Sequence, residues 1–356
     1  MKQILNVLIF KFILVLPFQI NAYKRVYPDN PLIRYTGRFD FSIPQNVRFD
    51  WPGVSIEAAF EGSCCAVMLK GYGEAFNIFI DGEFLKVLKT DSIVEQYELV
   101  SGLEDTIHTV SITKRYLIEN VICEFGGFLI GDEKKLCQIA QIRPKYRIEF
   151  IGASSLNGFG NESSSISCES VFDSSNCYYS YGPLTGRALN AECVTIAATG
   201  KGVVRNWGVP FISSFYPFSS VFFRTLRNSE HPAWNHEQWI PHVVVVCLGT
   251  NDFSTRPYPD KNVFIYNYTA FLQQIRDLYP GVKIVCLTSD KQPVRSFVKE
   301  IVGKMKADGI KDIYNVAYDP IPYHNRGCDW HPNIKAHEKI SQKLVKTIEP
   351  LLKDIQ

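Results

Sequence analysis

The chain has 356 residues, 46% hydrophobic and 21% charged, enough for more than one core of about 100 to 200 residues and unlike a disordered, collagen-like or coiled-coil chain. Lys plus Arg number 38 against 36 Asp plus Glu, a formal charge of +2, which supplies no electrostatic attraction for nucleic acid or another polyanion. Aromatic residues reach 13%, with 18 Tyr and 24 Phe, a content suited to β-rich cores and to surfaces that stack on flat ligands such as sugar rings.

Residues 1–22 read MKQILNVLIFKFILVLPFQINA, with Lys2 ahead of an apolar stretch interrupted by Lys11 and ending at Ala22. This predicts a signal peptide cut between Ala22 and Tyr23, because the run after Lys11 is too short to span ~30 Å of hydrocarbon. No later segment reaches ~18 uncharged apolar residues, so the mature chain is expected to be secreted, soluble and free of the membrane. From Tyr23 to about residue 140 the pattern is short β-type runs: VSIEAAF, CAVMLK, FNIFID, EFLKVL, HTVSITK and NVICEFGGFLI. Asp81-Gly82 marks a two-residue hairpin. Many short strands with no helical period between them predict a jelly-roll-like β-sandwich domain over residues 23–140.

From residue 141 to 356 the texture becomes that of an α/β domain. Continuous apolar runs at Ile148 to Gly152, Val194 to Ala198, Val243 to Leu248 and Lys283 to Leu287 suit a parallel sheet covered on both faces. Phe264, Tyr268, Phe271, Leu272 and Ile275 recur at helical spacing, as do Val294, Val298, Ile301, Val302 and Met305, and a last amphipathic segment carries Ile340, Leu344, Val345 and Ile348. There are ten cysteines and no C-x-x-C pair. In an oxidising compartment an even count favours disulfides; Cys168, Cys177 and Cys193 are close enough in sequence for a local bridge, whereas Cys247 and Cys286 read as buried free thiols. Asn161-Glu-Ser and Asn267-Tyr-Thr are glycosylation sequons.

Polar groups cluster where these strands end. The first run opens into Gly152-Ala153-Ser154-Ser155-Leu156-Asn157, the third into Gly249-Thr250-Asn251-Asp252, and near the C-terminus Gly327-Cys328-Asp329-Trp330-His331-Pro332 sets a histidine before a helix that Pro332 is expected to start. In an open α/β sheet the carboxyl ends of the strands are where ligands bind. In this order the three segments resemble the blocks of the SGNH, or GDSL-type, hydrolases. With RYTGRFD, FNIFIDG, FIGASSLNGFGNE, TGKGVVRNWG, LGTND and GCDWHP, the mature chain resembles the family 2 carbohydrate esterases.

The resemblance implies a β-sandwich followed by a three-layer α/β/α hydrolase, and a secreted serine esterase that deacetylates plant-wall-type glycans without metal or organic cofactor, acting as a monomer. It makes Ser154 the nucleophile and one oxyanion donor through its own N–H, Gly202 a second donor, Asn251 a third, and His331 the general base; Ser155 competes with Ser154 by adjacency. Two positions depart from the superfamily pattern: Ala153 stands where G-D-S has aspartate, and Cys328 stands three residues before the histidine, where a carboxylate normally meets Nδ1. Asp329 is therefore either a displaced third catalytic residue or a bystander to a Ser-His dyad whose imidazole is oriented by a main-chain carbonyl. Trp330 is expected to line the substrate pocket. An SGNH hydrolase of other short acyl esters, and a carbohydrate-binding protein with an inactive hydrolase domain, are the rival readings. The G-x-S-x-G elbow, the phosphate-binding loop and i, i+4 histidine metal pairs are all missing their defining residues.

Overall fold

The computed structural model of the protein describes residues 23–93 and 95–355; the expected signal peptide lies outside the described residues. Eleven short antiparallel strands come first: β1 (Tyr23–Val26), β2 (Arg34–Thr36), β3 (Val47–Phe49), β4 (Ser55–Glu61), β5 (Cys65–Lys70), β6 (Ala75–Ile80), β7 (Glu83–Lys89), β8 (Glu95–Val100), β9 (Ile107–Lys114), β10 (Cys123–Gly131) and β11 (Leu136–Cys137). They form two sheets, β1-β10-β5-β8 with β3 on β10, and β11-β4-β9-β6-β7 with β2 on β4. Phe49, Phe60, Phe76, Phe125 and Phe128 are buried together, which is where the high aromatic content goes. Asp81 and Gly82 join β6 to β7 with φ of 52° and 83°, the two left-handed residues that a type I′ hairpin needs to match strand twist.

The remainder is a five-stranded parallel sheet, ordered β13-β12-β14-β15-β16, of β12 (Tyr146–Gly152), β13 (Ala191–Ala197), β14 (Val243–Cys247), β15 (Lys283–Thr288) and β16 (Ile313–Ala317). Its central strands are apolar on both faces because both are covered. Val244 and Val246 pack with Phe264, Tyr268 and Ile275 of α3 (Lys261–Leu278), and Val243 and Val245 pack with Ile340, Leu344 and Ile348 of α5 (Ile334–Lys353). Helix α4 (Val294–Ala307) lies beside α3, and α1 (Tyr181–Ala188) beside α5; α2 (Ser219–Phe222) is a single turn. This is the expected three-layer arrangement. Two elements were not visible in the residue pattern: β16 is a half-exposed edge strand of mixed polarity, and α1 contains Gly182, Pro183 and Gly186, poor helix formers that tertiary packing overrides. The expected start of α5 moves as well. Asn333, not Pro332, caps it, its side chain accepting the Ala336 N–H at 3.2 Å.

The sandwich and the parallel sheet share one buried cluster, and its polar centre is Arg38. The Arg38 guanidinium, 0% exposed, donates to Glu149 Oε1 at 3.1 Å and to the carbonyl oxygens of Phe222 and Arg224, between the rings of Trp51, Phe222 and Trp234. Trp51 donates its indole N–H to the Thr225 carbonyl at 3.0 Å, and Asp50 accepts the N–H groups of Arg227 and Asn228, both at 2.8 Å. Glu149 stands in the middle of β12. Removing one partner of such a pair leaves an uncompensated buried charge, a loss of about 3–5 kcal/mol, whereas replacing both by apolar residues of similar volume is often neutral. Arg38→Met should therefore lower unfolding free energy in urea by about that amount, and Arg38→Met with Glu149→Leu should recover most of it; equal stability of Arg38→Met and wild type would show that the pair carries no structural weight.

Candidate active site

Ser154 lies two residues past the end of β12, between the neighbouring ends of β13 and β14. That is the point where strand order reverses and adjacent crossovers leave on opposite faces, opening a crevice. The chain turns back at once, Asn157 N–H donating to the Ala153 carbonyl at 3.1 Å and Phe159 N–H to the Ser154 carbonyl at 3.1 Å, so the Ser154 side chain is presented on a rigid corner.

His331 arrives from the other end of the chain on a tight turn over Cys328–Trp330. The turn is closed by His331 N–H to the Cys328 carbonyl at 3.0 Å and Gly327 N–H to the His331 carbonyl at 2.8 Å. His331 Nε2 is 2.8 Å from Ser154 Oγ, while Nδ1 faces the Asp329 carbonyl oxygen at 3.1 Å and that of Cys328 at 3.3 Å. Carbonyl oxygens only accept, so the proton of the neutral imidazole sits on Nδ1 and Nε2 is left to accept from the serine hydroxyl. Phe159 lies against the ring with centroids 4.3 Å apart. Burial pulls the imidazole below its ordinary value; the two carbonyls and the Asp329 charge oppose that, and Lys291 adds to it.

Asp329 thus meets His331 through its main chain. A carboxylate on Nδ1 is not the geometry present: Asp329 is an exposed residue with φ of 49°, and Nδ1 faces its carbonyl oxygen and that of Cys328. Which atom of Asp329 makes the contact follows from its left-handed backbone. Trp330, φ 64° and 57% exposed, stands at the rim of the cleft with Tyr323 edge-on to it at 5.7 Å.

Asn251 follows β14 and is nearly buried. One hydrogen of its amide goes to the Lys201 carbonyl at 2.8 Å, which aims the other. Gly202, expected as an oxyanion donor, has its N–H taken by Asn206 Oδ1 at 3.2 Å. Asp252, which sequence reasoning passed over although it completes G-T-N-D, is fully buried and accepts the N–H groups of Val203, Val204 and Arg205 at 2.9, 2.6 and 2.9 Å. Burial pushes this carboxyl up to about 6 against those hydrogen bonds. Its effect is to bind the loop after β13 to the Asn251 turn. Around Ser154 these groups enclose a cleft of about 210 Å³ whose walls include Trp207, Ser289, Lys291, Arg326, Trp330 and Asn251. Arg326 donates to the Trp330 carbonyl at 2.9 Å.

The cysteine pairing differs from the local bridge that sequence proximity suggested. Cys168 is joined to Cys328 across 160 residues, while Cys177, Cys193, Cys247 and Cys286 are free. Asn161 of the first sequon is 1% exposed and exchanges hydrogen bonds with Asn176, a position closed to an oligosaccharide, whereas Asn267 is exposed on α3. His236 and His337, both buried and both pulled down to about 3 by desolvation, are neutral structural histidines. Among the described residues no three His, Cys, Asp or Glu side chains are grouped as metal ligands.

Residues 35–139 match the family model Carbohydrate esterase 2 N-terminal, and residues 148–344 match GDSL-like Lipase/Acylhydrolase. The chain is 32% identical over 332 residues to Cellulase/esterase CelE of Acetivibrio thermocellus, covering 90% of this chain and 40% of that protein. It is 26% identical over 323 residues to an acetylxylan esterase / glucomannan deacetylase of Cellvibrio japonicus, covering 86% of each. The structure of a family two carbohydrate esterase from Clostridium thermocellum in complex with cellohexaose superposes with a TM-score of 0.84 at 32% identity, over 90% of this chain and 99% of that one. The chain therefore spans two fifths of CelE, most of the acetylxylan esterase / glucomannan deacetylase and nearly the whole of the Clostridium thermocellum esterase structure.

The imidazole should titrate below its ordinary value of about 6.5, so that the ring is neutral at neutral pH and gains its second proton only as pH falls through the depressed value. The His331 Hε1 shift followed by NMR, with His331→Ala identifying the resonance, should give a midpoint under 6.5; a midpoint near 7 or above would mean that a carboxylate, not desolvation, governs the ring.

Proposed function

Because the chain belongs to the family two carbohydrate esterases, within the GDSL-type hydrolases, we propose that this carboxylic ester hydrolase removes O-acetyl groups from plant-wall-type polysaccharides or oligosaccharides, after secretion, through an acyl-enzyme on Ser154. The reading is carried by the 2.8 Å contact of His331 Nε2 with Ser154 Oγ, at the floor of a cleft of about 210 Å³. Such a volume suits a short acyl group and is small beside the ~300–1,000 Å³ of pockets that enclose larger ligands.

His331 takes the Ser154 proton as Oγ attacks the acetyl carbonyl carbon, and the imidazolium is held by the Asp329 and Cys328 carbonyl oxygens at Nδ1. The negative charge that develops on the carbonyl oxygen is met by the Ser154 N–H and the second amide hydrogen of Asn251, donors that act most strongly when the charge is fully formed. Gly202 joins them only by exchanging Asn206 for the oxyanion. His331 then protonates the departing sugar oxygen as its bond to the acyl carbon breaks. Water, deprotonated by the same nitrogen, attacks the acetyl-serine, releasing acetate and returning the proton to Oγ. Trp330 and Trp207, both more than half exposed at the rim, offer flat apolar faces for the sugar ring bearing the ester. The names of the relatives, acetylxylan and glucomannan esterases among them, support acetylated hemicellulose as the substrate class.

On 4-nitrophenyl acetate, Ser154→Ala and His331→Ala should each lose at least ~10⁴-fold in kcat with folding intact. Asn251→Ala should lose ~10² to 10³ in kcat at little cost in KM. Asp329→Asn, which keeps the carbonyl and tolerates the left-handed backbone, should stay within about tenfold of wild type, against the ~10⁴ that the same change costs in a true triad. A loss in Asp329→Asn equal to that in His331→Ala would make the carboxylate a third catalytic group. Acetate released from acetylated xylan or glucomannan tests the substrate class; cleavage of butyryl and longer esters in preference to acetyl would favour a different short-acyl hydrolase.

A further inference from the structure

We propose that the Cys168–Cys328 disulfide is a positioning element for His331: it holds the turn whose carbonyl oxygens accept the Nδ1 proton, at the chain position where the wider superfamily places a carboxylate. The inference rests on the reading of Ser154 and His331 as the working pair. Cys328 is fully buried, is cross-linked through its side chain and presents its carbonyl oxygen to His331 Nδ1 at 3.3 Å. The next two residues, Asp329 and Trp330, have φ of 49° and 64°, and consecutive left-handed residues other than glycine are unfavourable for L-amino acids, persisting only where the surroundings over-determine them.

Arg326 holds the Trp330 carbonyl from within the same stretch of chain, and the contacts to Cys328 and Asp329 from farther away come from the segment that follows Ser154. Cys328 N–H donates to the Gly160 carbonyl at 3.2 Å, Asp329 N–H to the Ile166 carbonyl at 2.9 Å, and Ile334 N–H, beyond the histidine, to the Asn161 carbonyl at 3.0 Å. Gly160 is packed so closely that a Cβ there would stand 2.3 Å from Cys328 Cβ. Yet the outer part of that segment has little to hold it. Glu162 and Asp173 at its ends are held by Arg115 and Phe172 by the Tyr116 ring, but between them residues 163–170 read SSSISCES and none is buried; a serine-rich strip with no core of its own leaves its hydrogen bonds open to water and to local fraying. The covalent link to Cys328 clamps the strip onto the turn. The Asp329 carbonyl, which makes the shorter contact with Nδ1 at 3.1 Å, is thereby fixed in direction. A carboxylate partner would hold the ring by charge; two neutral carbonyls hold it only if the backbone that bears them does not move.

Cys168 is partly exposed, so dithiothreitol can reach the bridge in the folded protein, each reagent molecule giving two electrons and two protons as it closes to its cyclic disulfide. The test compares oxidised wild type, reduced wild type freed of reagent under argon, and Cys168→Ala, with melting temperature measured for each and assays run well below it. Kinetics on 4-nitrophenyl acetate should show kcat reduced at least tenfold in the reduced protein and in Cys168→Ala, KM within about twofold, and no further effect of reductant on Cys168→Ala. In parallel, the downfield proton resonance of the hydrogen-bonded Nδ1–H, present in oxidised wild type and absent in His331→Ala, should broaden away on reduction. That resonance is read without substrate, so a chain that hydrolysed no ester would refute the esterase reading and still report on the disulfide. Unchanged kcat with a persistent resonance would overturn the proposal, as would a fall in melting temperature alone.

Discussion

A carboxylate in the middle of the first parallel strand has to be neutralised where it stands, and in this chain the neutralising group comes from the other half of the molecule. Arg38 reaches Glu149 from the sandwich, and the same guanidinium satisfies the carbonyl oxygens of Phe222 and Arg224. Pairing of this kind is a weak source of net stability and a strong constraint on arrangement, because either charge alone would be buried without a partner. The sandwich is therefore part of the hydrolase's own foundation. The strand it grips, β12, carries Ser154 just beyond its end, so the direction in which that side chain leaves the sheet is set in part by a residue more than a hundred positions earlier.

From that foundation the site is assembled by topology. The order β13-β12-β14-β15-β16 puts the ends of β12 and β14 side by side, which brings Ser154 and Asn251 to one crevice, and Asp252 ties the loop after β13 to them by collecting three successive main-chain N–H groups. Such a cradle places a fixed negative charge beneath the loop and consumes its donors. It also accounts for the buried aspartate of the G-T-N-D segment without assigning it chemistry. The histidine comes last in the chain and has no strand to fix it, which is why its turn is bound so heavily to the residues around Gly160.

With Ser154 and His331 read as the working pair, as proposed, the imidazole is held differently from that of a carboxylate triad. A carboxylate partner steadies the imidazolium by charge and tolerates some motion; the carbonyls of Asp329 and Cys328 offer partial charge at fixed distance, and their contribution depends on geometry. Desolvation, the largest influence on the ring, favours its neutral form, and Phe159 lies against one face. On that reading backbone rigidity takes the place that a side-chain carboxylate has in a triad.

The sequence by itself determined the two periodicities and the blocks that carry the family resemblance. Period-two runs with Asp81-Gly82 between them can only be read as paired strands, continuous Val-rich runs with helical stretches between them require a sheet covered on both faces, and Ser154, Asn251 and His331 stand in short blocks whose residue types carry their meaning locally. Tertiary structure alone decided what depended on approach across the chain. β16 and α1 are weak by propensity and exist because neighbours pack on them. Cys168 finds Cys328 across 160 residues, a pairing that no spacing rule can select, and the Gly202 N–H is taken by Asn206. Whether Asp329 would present its carboxylate or its carbonyl to His331 rests on one left-handed φ. The turn that contains it is bonded to the carbonyls of Ile166 and Gly160, far away in sequence, and these contacts have no signature in the six residues around the histidine.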